Sequence, residues 1–200
     1  MNTGWLKIIN AAQLIMDAFI GTVCFILGTT LGVVVLGTAP SLSALMWAMD
    51  ERIKHDSARG IWPMFWRRYF TDFWGANREL LMPFLIVGFL VYDYAFVTVN
   101  TSGSLRSLSQ FGLGVLVCIF GLATIQLLVA RNTGEFSGYL VAIRRVLTRP
   151  IQNLLIATVT FLLLRLSAAI TGFAVLLVWG VWAAAVSAIT QTLDKGESSR

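Results

Sequence analysis

Long runs of residues without charge decide what this chain can fold into. The run at 14–36 carries a single charged side chain, Asp17, and the run at 108–130 carries none. Each is about 23 residues long, enough for a helix to cross a hydrocarbon core of ~30 Å with some tilt. Only 12% of the 200 residues are charged and 57% are hydrophobic. A water-soluble domain carries roughly 25% charged residues, so half that share cannot cover a water-facing surface of this size. Lipid is the solvent for most of the chain, and in lipid every backbone polar group must be satisfied within the protein. The expectation is an all-α, polytopic transmembrane bundle in one membrane domain over 1–200.

Further apolar runs at 80–99 and 151–169 and a last one ending near Ile189 extend the count, with a short polar turn expected at 100–104 and a tight turn at Thr171-Gly172 before the last run. A shorter segment at 40–53 reads as a return helix packed against the first span, which gives about six spans, one of them short. The sequence Gly37-Thr38-Ala39-Pro40 reads as the helix break before it, since proline suits an opening turn. Gly28 and Gly32, with Gly37, supply the small-residue spacing that lets helices approach closely. Two further stretches, 62–77 and 136–147, read as amphipathic helices on the cytoplasmic face. Each contains Arg-Arg (Arg67-Arg68 and Arg144-Arg145), and each Arg-Arg is followed within about ten residues by an asparagine (Asn77, Asn153) and then an apolar run. That parallel suggests two weakly repeated halves, about 14–99 and 107–190.

Orientation follows from the lysines and arginines. With the amino terminus inside, thirteen of the 15 basic residues fall on the cytoplasmic side, as the positive-inside rule requires. Arg106 lies outside and Arg165 within a span. Both termini are expected in the cytoplasm. The net charge of +5 is sorted by membrane side and not gathered on a groove-binding element, so the lipid bilayer is the expected partner and nucleic acid is not.

Three features could carry function. On 62–77 the side chains Trp62, Phe65, Trp66, Tyr69, Phe70, Phe73 and Trp74 recur at the spacing of one helix face, with Arg67 and Arg68 opposite. Such a face is suited to anchoring in headgroups or to docking another subunit. Asp93 and Arg165 are ionisable groups at lipid depth, where charge is costly and marks function by default. Each lies about 20 Å from the cytoplasmic end of its span, so they are a candidate intramembrane ion pair. Gly28, Gly32, Gly37 and Pro40 form the candidate break and close-packing site. Cys24 and Cys118 lie in apolar runs and read as packing residues. His55 is the only histidine, so no metal or cofactor site is expected, and no nucleophile, phosphate-loop or metalloprotease motif is present to suggest an enzyme.

The order of elements, with Gly37-Thr38-Ala39-Pro40, the segment from Phe65 to Asn77, and Leu128-Val129-Ala130-Arg131, resembles the YesL-like family of small bacterial integral membrane proteins. That resemblance implies a cytoplasmic-membrane protein without known biochemical activity. It also implies an accessory, non-catalytic role beside a carbohydrate ABC-type importer, with the permease subunits as partners. The alternative is a small autonomous transporter, acting as a homo-oligomer.

Overall fold

The computed structural model describes residues 3–55, 60–134, 138–169 and 175–198. Among them are seven helices: α1 (Thr3–Leu31), α2 (Val35–His55), α3 (Ile61–Asn100), α4 (Gly103–Thr133), α5 (Tyr139–Thr148), α6 (Pro150–Ala169) and α7 (Val175–Ser198). No described residue lies in a strand. Three helical stretches are long and apolar enough to cross a membrane: Ala12–Leu31, Ile61–Asn100 and Gly103–Asn132. A fourth is reached if α5 and α6, bent by 99°, count as one broken span. The sequence expectation of six is therefore met only in its coarser form, an all-helical chain with several membrane-length apolar helices.

The chain forms two compact units. The first comprises Met1–Ala76 and Thr158–Arg200, the second Asn77–Ala157.

In the first unit, α1 and α2 form an antiparallel hairpin, and α7 packs against both. The hairpin turns at Gly32–Val34, earlier than the break expected at Gly37–Pro40. Gly37 and Pro40 lie inside the opening turns of α2 instead. The turn sits there because the two backbones touch at a pair of glycines: a Cβ on Gly32 would overlap Gly37, and one on Gly37 would overlap the Thr29 carbonyl. Closing so tightly forces Val33 and Val34 to φ of 57° and 59°. Left-handed backbone is costly for β-branched residues, so close packing outweighs local preference here. Further along the hairpin, a Cβ on Gly28 would lie 2.5 Å from Ser41 Oγ. The first part of α3 also packs on the hairpin, with its Ile61, Phe65 and Tyr69 buried. Ile61 faces Gly21, Phe65 and Tyr69 face Gly28, and the Tyr69 hydroxyl donates to the Gly28 carbonyl at 2.8 Å. Gly180 brings α7 against α1, where a Cβ would overlap the Ala18 carbonyl and its N–H donates to Thr22 Oγ1 at 2.8 Å.

The first of the two amphipathic segments is thus not a separate helix. It is the opening part of the 40-residue α3, laid along α1. The second is separate, as α5; Phe136 of that segment lies outside the described residues, as does the turn expected at Thr171-Gly172.

In the second unit, α3 and α4 are joined through Thr101 and Ser102, close to the expected polar turn. Gln110 Nε2 donates to Thr98 Oγ1 at 2.9 Å near that end. Near the other, Arg131 is ion-paired with Glu79. α5 packs on α4, with the Tyr139 ring 6.2 Å from Phe120 and its hydroxyl donating to the Phe120 carbonyl at 3.3 Å.

Candidate functional site

The aromatic segment of α3 divides into two faces. Phe65 and Tyr69 are interior, while Trp62, Phe70 and Trp74 are exposed by 48%, 68% and 76%. The exposed rings, with half-buried Trp66, occur at every fourth residue and so form one row along the helix. Trp62 and Trp66 meet edge to face at 5.9 Å, and Trp66 stacks on Phe70 at 5.7 Å. Phe73 sits edge-on to Trp74 at 5.4 Å. Arg67 is exposed next to this row. Arg68 turns away from it: its guanidinium lies over the Trp47 ring at 5.7 Å and pairs with Asp72 at 3.2 Å. Of the nine side chains singled out on this segment, the structure places four rings and Arg67 in or beside one accessible row, sets half-buried Phe73 edge-on to the last ring of that row, and gives Phe65, Tyr69 and Arg68 packing roles.

Asp93 is half-buried on α3, in the second unit, and Arg165 is exposed on α6, in the first, with its guanidinium 5.7 Å from the Phe161 ring. Their pairing stands as a proposal.

Two polar constellations escaped the sequence reading. The first is an ion pair between α1 and α2. Arg52 Nε donates to Asp17 Oδ2 at 2.8 Å, with side-chain exposures of 17% and 9%. Beside it Asp50 accepts from Gln191 Nε2 of α7 at 2.7 Å and pairs with Lys54 at 2.6 Å. Asp17 and Arg52 lie nearly the same number of residues from the hairpin turn, as do Gly28 and Ser41, and Gly32 and Gly37. A turn centred on Val34 would have revealed the pair.

The second is an amide pair at the α5–α6 corner. Gln126 Nε2 donates to Asn153 Oδ1 at 2.9 Å, and both side chains are buried. Asn153 Nδ2 in turn donates to the carbonyls of Arg145, Val146 and Arg149, at 3.2, 3.2 and 2.8 Å. The last carbonyls of a helix lack the regular partners of its interior. Those of Arg145 and Arg149 also accept from backbone N–H groups, so the asparagine matters most to the Val146 carbonyl, whose usual donor position is taken by Pro150. The corner arises because a residue before proline is held out of helical geometry, and Arg149, at φ −118° and ψ 64°, precedes Pro150.

Among the residues with described side chains, no group of three or more His, Cys, Asp or Glu residues is placed to hold a metal ion. The free thiols divide, Cys24 buried and Cys118 exposed. No curated protein and no solved structure matches the chain. A family model described as "Protein of unknown function, DUF624" matches residues 19–94, which run from α1 through most of α3.

Proposed function

We propose that this chain is a multi-pass protein of the bacterial cytoplasmic membrane, with both termini inside, that works without catalysis as an accessory partner of a carbohydrate ABC-type importer. The docking part of this reading is carried by one observation, the row of Trp62, Trp66, Phe70 and Trp74 beside Arg67. Tryptophan and arginine dominate the energetics of protein interfaces, and rings already stacked on one another lose little freedom when a partner covers them. The importer as partner rests on the YesL-like resemblance. The six-span topology rests on the apolar runs and on the sorting of basic residues.

Purification of the tagged protein from its native membranes in mild detergent tests the reading. Importer permease subunits are expected to co-elute in stoichiometric amount. Replacing Phe70 and Trp74 together with alanine is expected to reduce that recovery about tenfold or more, since truncating an interface anchor costs ~2 kcal/mol or above. Both side chains are exposed, so the yield of the protein itself is expected to hold. Elution of the wild type alone, as a discrete monomer or oligomer, overturns the accessory role and favours an autonomous transporter.

An Asp93–Arg165 ion pair belongs to the same proposal, as a clip between two helices. Single replacements by leucine are then expected to lower expression, because each strands a charge at lipid depth. Exchanging the two charges is expected to restore it. If the exchange behaves like the singles, the pair does not exist.

A further inference from the structure

The end of the second unit where α4 finishes is strongly basic. Arg78, Arg131, Arg144, Arg145 and Arg149 lie on the segments that meet there, together with Glu79, which pairs with Arg131. The sequence of α5, Tyr-Leu-Val-Ala-Ile-Arg-Arg-Val-Leu-Thr, contains no acid. Its outer face carries Leu140, Arg144 and Leu147 at helical i, i+4, i+7 spacing. Leu140 is 81% exposed and Leu147 is 72% exposed, whereas Ala142 faces the interior. The helix is fixed in place by Tyr139 on α4 and by the Asn153 corner, and its axis stands at 99° to α6. When α6 runs across a bilayer, α5 lies in the plane of that bilayer. A short in-plane helix with leucines and arginines on its outer face, and a basic surround, matches the boundary between lipid phosphates and acyl chains.

We propose that α5 lies in the headgroup layer and binds anionic phospholipid, with Leu140 and Leu147 in the acyl region and Arg144 reaching up to lipid phosphate. The occupant is lipid because the face pairs two exposed leucines with the exposed Arg144. A leucine pair on its own would suit any apolar surface. The neighbouring arginines select for a negative one.

Native mass spectrometry of the full-length protein in detergent, offered phosphatidylglycerol or phosphatidylcholine with the same acyl chains, reads the preference directly. Phosphatidylglycerol is expected to be retained selectively. Arg144→Gln is expected to weaken its retention about fivefold, the effect of one basic residue near a charged lipid surface, and Arg144→Lys to keep most of it. A second reading does not depend on that variant. With Cys118 changed to serine and an environment-sensitive label on Leu147→Cys, the label is expected to report an apolar setting in nanodiscs containing phosphatidylglycerol. Equal retention of the two lipids, an Arg144→Gln protein that retains phosphatidylglycerol as the wild type does, or a label in water overturns the proposal.

Discussion

Replacing Asn153 with leucine is expected to lower the stability of the protein in micelles by about 3 kcal/mol. The magnitude follows from the partners left behind. The carbonyls of Arg145 and Arg149 also accept from backbone N–H groups, of Arg149 at 3.0 Å and Asn153 at 3.1 Å, so they remain satisfied. The Val146 carbonyl and the Gln126 amide lose the partner described above, and each buried group left bare costs ~1–3 kcal/mol. The second substitution Gln126→Leu, made in the Asn153→Leu background, is expected to recover part of the loss, because a missing partner costs more than a missing pair. Unfolding with a denaturing detergent, followed by tryptophan fluorescence, measures both. Additive losses would show that the amide pair does not hold the corner.

Arg52→Leu alone is expected to cost about 3 kcal/mol, since it leaves Asp17, whose side chain is 9% exposed, without the guanidinium that pairs with it. Asp17→Leu alone is expected to destabilise by removing the same 2.8 Å contact. Changing both to leucine is expected to return the protein to within ~1 kcal/mol of wild type, because replacing a buried ion pair by apolar side chains is often neutral or better. The same unfolding measurement, arranged as a double-mutant cycle, gives the coupling. A double variant as unstable as the sum of the singles would mean that the two groups act separately and that α1 and α2 are held by packing alone.

The apolar runs made the helical class and the membrane-length helices legible, because exclusion of charge over some twenty residues has few other solutions. The position of the first turn was not legible. Gly37 and Pro40 are familiar turn residues, and Val33 and Val34 are not. The valines hold the turn because Gly32 and Gly37 must touch, a condition of packing that local sequence does not express. Misplacing the turn hid the Asp17–Arg52 pair, whose members are 35 positions apart. The continuity of α3 was missed for a related reason. The aromatic pattern over 62–77 and the apolar run over 80–99 differ in composition, but no residue between them breaks a helix. The α5–α6 corner was closer to the surface of the sequence. Arg149-Pro150 marks it, and Asn153 stood out after the arginines, but its role as a cap required the geometry of the bend. On the aromatic segment, the periodicity found the right helix while burial decided which rings are available. Trp62, Trp66, Phe70 and Trp74 form the accessible row because Phe65 and Tyr69 are taken up by Gly28 of α1.

The most direct test of the account is photo-crosslinking in living cells. A photoreactive phenylalanine analogue is placed at Trp74, and separately at Leu162, an exposed position of α6 in the same unit. The account predicts a discrete crosslink from position 74 to an importer permease subunit, identified by mass spectrometry, and none from position 162. Crosslinks to lipid alone from both positions would contradict it, and the aromatic row would then be a membrane anchor without a protein partner.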